Sequence, residues 1–240
     1  MGVNRFLNKV YNTTGLSILG ALGTSWALLN LPMLAGSMMP LAGAGLVMTL
    51  GGFIPLSFMK PEYNVNIEKI NQNEKIEYLT SRNSILRQVL YGMGTIGLGL
   101  SAAPLMAFAS MVNPSILPTC LGLTTAIFGG ASLMAYRMPK DSMLKYGGVL
   151  GGSLLGLIGL QLIGLASSMI FGPNPFIGMM FNASNYVAVG LFTAFIAYDT
   201  HVAIKMYEMG EPDHLGMASQ FLLNFWNIFT SLLRIFSSSD

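Results

Sequence analysis

Seven stretches of this chain are long and apolar enough to cross a lipid bilayer, and almost nothing charged interrupts them. They lie at about residues 10–31, 38–59, 85–110, 116–136, 147–171, 184–203 and 217–236, each close to the ~20 residues a bilayer-spanning helix needs. In hydrocarbon a backbone N–H or C=O must be satisfied inside the protein, so such stretches are expected to be helices. Only 9% of residues are charged and the mean hydropathy is +0.59, where a soluble domain carries about a quarter charged residues. The sequence therefore predicts an all-α polytopic membrane protein. We expect one transmembrane domain over residues 1–240, whose first partner is the lipid bilayer. A net charge of +2 gives no basis for binding nucleic acid.

Proline and charge mark the joints. Pro32, Pro114, Pro118, Pro139, Pro173, Pro175 and Pro212 fall in or beside them, as helix breakers should. Pro40, Pro55 and Pro104 lie within spans and are expected to kink them. With seven spans, one side of the membrane collects Arg5, Lys9, Lys60, Lys69, Lys75, Arg82, Arg87, Arg137, Lys140, Lys145 and Lys205. That is every basic residue except Arg234, which lies in the last span. The positive-inside rule puts the N-terminus on this side, the equivalent of the cytoplasm. The longest joint, residues 60–83, has two readings. Ile67, Ile70, Glu74 and Glu77 recur at helical spacing, which suggests a short interfacial helix; mixed charge favours a solvated connector, the preferred reading. Gly148, Gly152 and Gly156 repeat every four residues and predict a ridge where a neighbouring helix comes close. Cys120 stands alone, so no intrachain disulfide forms. The first six residues carry neither a myristoylation pattern nor a cleavable leader, so targeting is expected to be internal or by a segment already removed.

One carboxylate is set against this apolar background. Asp199 ends the apolar run from Tyr186 to Ala197, and an ionisable group at membrane depth costs about 2.5–3.5 kcal/mol, so it needs a partner or a watery cavity. The last span offers one. Gln220, Asn224, Asn227, Ser231 and Arg234 are spaced four, three, four and three apart, along one face of a helix. A polar stripe faces lipid badly, so the C-terminal helix is expected at the centre of the bundle. His201 and His214 are read as lying in or near a solvated joint. With Glu208, Glu211 and Asp213 they match no zinc spacing, and whether any metal binds is left open. No nucleophile–base order, phosphate loop or cofactor box is present, so neither enzymatic activity nor a cofactor is expected.

Three motifs carry a family resemblance. The run from Thr124 through Ala126, Gly129, Gly130 and Ser132 to Leu133 resembles a signature in a middle helix of the Bax inhibitor (transmembrane Bax-inhibitor-motif) family. Tyr198-Asp199-Thr200 matches its Tyr-Asp-Thr motif, and Asn227-Ile228-Phe229 followed by Leu232-Leu233-Arg234-Ile235 resembles its closing helix. Val10-Tyr11, Gly15-Leu16-Ser17 and Ala103-Pro104-Leu105 look closer to the mitochondrial, growth-hormone-inducible branch. The resemblance covers nearly the whole chain, from about residue 10 to residue 236, and implies seven helices wrapped around the last. It also implies pH-sensitive cation leak or exchange, of calcium or protons. Asp199 then matches the first of the family's paired aspartates, while Asn224 stands where the second is expected. The second span lacks the arginine that pairs with those carboxylates in some relatives, and His201 replaces the glutamine that often follows Tyr-Asp-Thr. The implied object is a degenerate, single-carboxylate ion or proton site on Asp199 and Asn224, with Gln220, Asn227, Ser231 and Arg234 in support. The implied location is the mitochondrial inner membrane, with the N-terminus in the matrix. The alternative is a transport-inactive structural subunit, held among other membrane proteins in a large inner-membrane complex such as a respiratory one.

Overall fold

The computed structural model describes residues 2–31, 37–71, 74–172 and 174–238; the joint prolines Pro32 and Pro173 and the terminal Asp240 lie outside these. Among the described residues seven α-helices follow one another: α1 (Gly2–Leu29), α2 (Met38–Phe58), α3 (Ile85–Val112), α4 (Ile116–Arg137), α5 (Gly147–Phe171), α6 (Pro175–Glu208) and α7 (His214–Ser237). Among the described residues five helices, α2 to α6, are long and apolar enough to cross a membrane. The chain is an all-α polytopic membrane protein. The ends of α2, α4 and α5 fall within a residue or two of the apolar runs. By contrast α1 begins at Gly2 and α6 at Pro175, because a helix continues through polar turns wherever no breaker stops it. Pro175 is the first residue of α6, a position where proline's missing N–H costs nothing.

The long joint is neither a helix nor an irregular connector. Strands β1 (Glu62–Asn71) and β2 (Glu74–Arg82) pair antiparallel, with Val65 opposite Leu79 and Ile67 opposite Glu77. The helical spacing of Ile67, Ile70, Glu74 and Glu77 competes with an alternation, Tyr63/Val65/Ile67 and Ile76/Tyr78/Thr80, that suits a pleated ribbon. An isolated hairpin is marginal in water. This one is tied down where the Tyr207 hydroxyl of α6 accepts from the Leu79 N–H at 3.2 Å and the Arg5 guanidinium stacks over the Tyr78 ring.

The residues cluster into two compact units, with divisions inside α3, α6 and α7. The first holds residues 1–104 and 202–223, the second residues 105–201 and 224–240. In the first unit α1 meets α3 through two buried hydroxyls. Ser17 bonds the Tyr91 hydroxyl at 2.7 Å, and Ser25 donates to the Gly99 carbonyl at 2.6 Å. Tyr11 of α1 packs on Phe221 of α7, ring centres 5.2 Å apart. In the second unit Phe128 of α4 meets Phe225 of α7 edge-on, at 5.8 Å. Along α7 the core residues Met217, Phe221, Leu222, Ile228, Phe229 and Leu233 are all 1% exposed or less, and their helical spacing puts them on one broad face, opposite the less buried Gln220, Leu223, Asn227 and Arg234.

The glycine ridge of α5 does not bring a helix close: a methyl built on Gly148, Gly152 or Gly156 would meet nothing within 4 Å. The close approach is instead between α2 and α3. A Cβ on Gly52 would lie 2.5 Å from the Gly94 nitrogen and the Leu90 carbonyl oxygen, and one on Gly97 would lie 2.6 Å from Gly45 oxygen and Thr49 nitrogen. Small residues at 45, 49 and 52 face small residues at 94, 97 and 101, a mixed three-and-four spacing that lets two backbones touch. Gly52→Ala is expected to destabilise the fold by about 1–3 kcal/mol, as overpacking does. Gly152→Ala should stay within about 0.5 kcal/mol of the parent, and thermal melts in detergent micelles compare the two. For topology, cysteine labelling of Lys69→Cys and Asn174→Cys in sealed vesicles should modify opposite faces. Modification of both from one side would remove the seven-crossing arrangement.

Candidate polar site on the last two helices

Within the second unit the structure brings Asp199 and Asn224 together. Asp199 is 5% exposed, as is Asn224, and the Asn224 amide donates to Asp199 Oδ2 at 2.6 Å. Among the described residues no cation pairs with this carboxylate. Its neighbour Thr200 is fully buried and donates to the Ile196 carbonyl of its own helix at 2.8 Å. The arrangement is one acid held by one amide: a group that takes up a single proton, beside a group that takes up none.

The rest of the stripe divides. Ser231 is buried and Asn227 half-buried, but Gln220 and Arg234 are exposed, contrary to a stripe that faces protein along its whole length. Gln220 lies at a level where α2 and α7 leave a cleft between them. Arg234 sits in the last turn of α7, where a long cationic side chain reaches outward to keep its head in water.

Both histidines are buried rather than solvated, although His214 does lie at the joint. His201 is 4% exposed inside α6, with its Nε2 unpartnered. α6 runs on to Glu208, past the expected end of the span at about 203, and so moves the joint away from it. His214 is the first residue of α7 and 9% exposed. Its Nδ1 bonds the Ser81 hydroxyl of β2 at 2.6 Å, and the Asn83 amide lies 3.3 Å from Nε2. No group of three or more His, Cys, Asp or Glu side chains able to hold a metal occurs among the described residues.

A second polar cluster, in the first unit, went unrecognised. Arg87 of α3 is 1% exposed, and its Nη2 donates to Asp213 Oδ2 at 2.5 Å. The other Asp213 oxygen accepts from the Gly216 N–H at 3.0 Å, capping α7. The signals available were an arginine two residues into an apolar helix and the acid before the helix start, but nothing in sequence joins residues so far apart. Burial comes first, then the Lys9 charge, with Arg87 adding to it and Asp213 opposing, and together they push the His214 imidazole down to about 4. A folded-state value below the usual 6.5 means the unfolded chain protonates first as pH falls. Stability should therefore be undiminished above about pH 6.5, drop between 6.5 and 4, and level off below. Melts at pH 7 and pH 5 should differ less in His214→Gln than in the parent.

The family model of "Inhibitor of apoptosis-promoting Bax1" matches residues 3–240. The chain belongs to this family. Bax inhibitor 1 from Homo sapiens is 30% identical over 142 residues, 59% of this chain and 56% of that protein. Bax inhibitor 1 from Arabidopsis thaliana is 29% identical over 137 residues, 57% and 53% of the two chains. The Drosophila melanogaster protein is 26% identical over 152 residues, 63% and 58%. The match thus spans a little over half the length of these relatives, and their names say nothing of an ion. What this member contributes by itself is an acid–amide pair on α6 and α7.

Proposed function

We propose that this Bax inhibitor family member is a cation pathway with a single proton switch, not an enzyme, and that Asp199 is the switch. The observation that carries the reading is a carboxylate buried in a membrane-spanning helix, bonded to an amide and, among the described residues, paired with no cation. Intramembrane acids are costly and for that reason usually functional. Protonated, the pair is neutral and offers a cation little. Deprotonated, it presents a carboxylate oxygen, and the Asn224 carbonyl oxygen stands ready as a second hard ligand for calcium. Two close carboxylates titrate in two coupled steps, whereas Asp199 with Asn224 titrates once. The resemblance to the mitochondrial branch supports a location in the mitochondrial inner membrane. The gathering of eleven basic residues on one side supports a matrix-facing N-terminus.

One observation favours a second reading. α5 exposes Val149, Leu155, Leu162 and Ile163 beside glycines with open space, a face suited to another membrane protein. On that reading Asp199–Asn224 merely ties α6 to α7, in a structural subunit of a larger assembly.

Flux of calcium into reconstituted vesicles separates the two. A switch at Asp199 predicts cation flux that rises with pH along a one-proton curve and falls by about tenfold or more in Asp199→Asn, with the melt unchanged. Asn224→Asp should convert the curve to two steps. Negligible flux in the parent and in both variants would leave the structural subunit, and the particle size after gentle solubilisation would then show the assembly.

A further inference from the structure

Between the second half of α2 and the first half of α7, within the first unit, lies a cleft of about 360 Å³. Its walls are apolar: Leu50, Phe53 and Ile54 from α2 face Met217 and Leu223 from α7. Leu50 is 57% exposed and Ile54 51%, so the medium meeting the cleft in a membrane is acyl chain. Its polar side chains are nearly all spoken for. Thr49, Ser57 and Ser219 each donate to a carbonyl of their own helix, and Asp213 is held by Arg87 and Gly216. Gln220 is the exception. It is exposed, lines the cleft and bonds none of the described residues. An amide turned to bare hydrocarbon costs several kcal/mol, so whatever fills the cleft should bring a hydrogen-bonding group to that depth.

Outside the lining itself, the chain just beyond Ser57 and just before Asp213 says what else the occupant carries. Lys60, three residues past Ser57, and Glu211, two before Asp213, stand 3.8 Å apart and are 77% and 50% exposed. An exposed pair of opposite charges is complementary to a phosphate joined to an ammonium. Gln220 is six residues into α7 from His214, about 9 Å along the helix, the depth at which glycerol ester carbonyls lie beneath a headgroup.

We propose that the α2–α7 cleft binds one phospholipid with a phosphoethanolamine headgroup, from the leaflet on the basic side of the membrane. Its phosphate meets Lys60, its ammonium donates to Glu211, an ester carbonyl accepts from the Gln220 amide, and one acyl chain lies along Leu50, Phe53 and Ile54. The site is independent of Asp199, and neither the presence nor the absence of transport bears on it.

The test uses the full chain in phosphatidylcholine nanodiscs with a trace of phosphatidylethanolamine bearing an acyl-chain diazirine. After irradiation, peptide mapping should place the adducts on residues 50–57 and 217–223, well above those around Leu155 on α5. Gln220→Trp fills the cleft and should cut these adducts roughly tenfold. Lys60→Glu, on an exposed residue outside the helices, should cut them roughly threefold, the scale of one exposed charge interaction; it keeps the test standing should Gln220→Trp not fold. Equal labelling of α5 and the cleft, or labelling unchanged in both variants, would overturn the site. Equal yield from a phosphatidylglycerol probe of the same acyl chain would overturn the headgroup assignment.

Discussion

A polar group inside a bilayer must find its partner within the protein, and α7 is where this chain meets that demand. One broad face of the helix is buried and carries Asn224 and Ser231, which have only protein to bond, while Gln220 and Arg234 lie on the exposed face. The second unit answers with Asn224 against Asp199 at 2.6 Å; the first answers at the helix start, where Asp213 receives Arg87 and caps the Gly216 N–H. Removing one side of either pair strands the other. For a buried ion pair that costs about 3–5 kcal/mol, more than most single contacts in a fold of marginal stability.

What the sequence made legible follows from how local each signal is. The apolar runs gave α2, α4 and α5 nearly residue by residue, because lipid imposes length and apolarity on each segment separately. The contact between α6 and α7 was legible for a different reason: one acid in an apolar run and one polar stripe have few other ways to be satisfied. Boundaries set by polar turns were less legible. α6 extends to Glu208 and encloses His201, although Asp199-Thr200-His201 reads locally like the edge of a joint.

The failures are non-local or ambiguous in period. At residues 62–82 both a helical and an alternating pattern are present, and the pairing of Val65 with Leu79 decides between them only once the ribbon folds back. The glycines of α5 form the more regular series, yet the helices that touch are α2 and α3. Whether a small residue is used depends on the partner's shape: Gly52 works because Gly94 lies opposite it. Opposite Gly148, Gly152 and Gly156 no described residue fills that role, so their regular spacing by itself says nothing about packing.

The two polar pairs also differ in a way that bears on function. Arg87–Asp213 is a full ion pair within the first unit, and Asp213 uses its other oxygen to cap α7. It suits permanence. Asp199–Asn224 lies well inside α6, where a second charge would cost most, and the carboxylate there is held by a neutral donor. Protonating Asp199 removes its charge while the amide keeps an oxygen to bond, so the pair changes charge without breaking the joint between α6 and α7. An arginine partner would have fixed that carboxylate in its charged form, and a second acid would have made it share a proton. The amide leaves it as one independent titrating group, which is why the pH dependence of flux, rather than its size alone, is the measurement that tells a switch from a fastener.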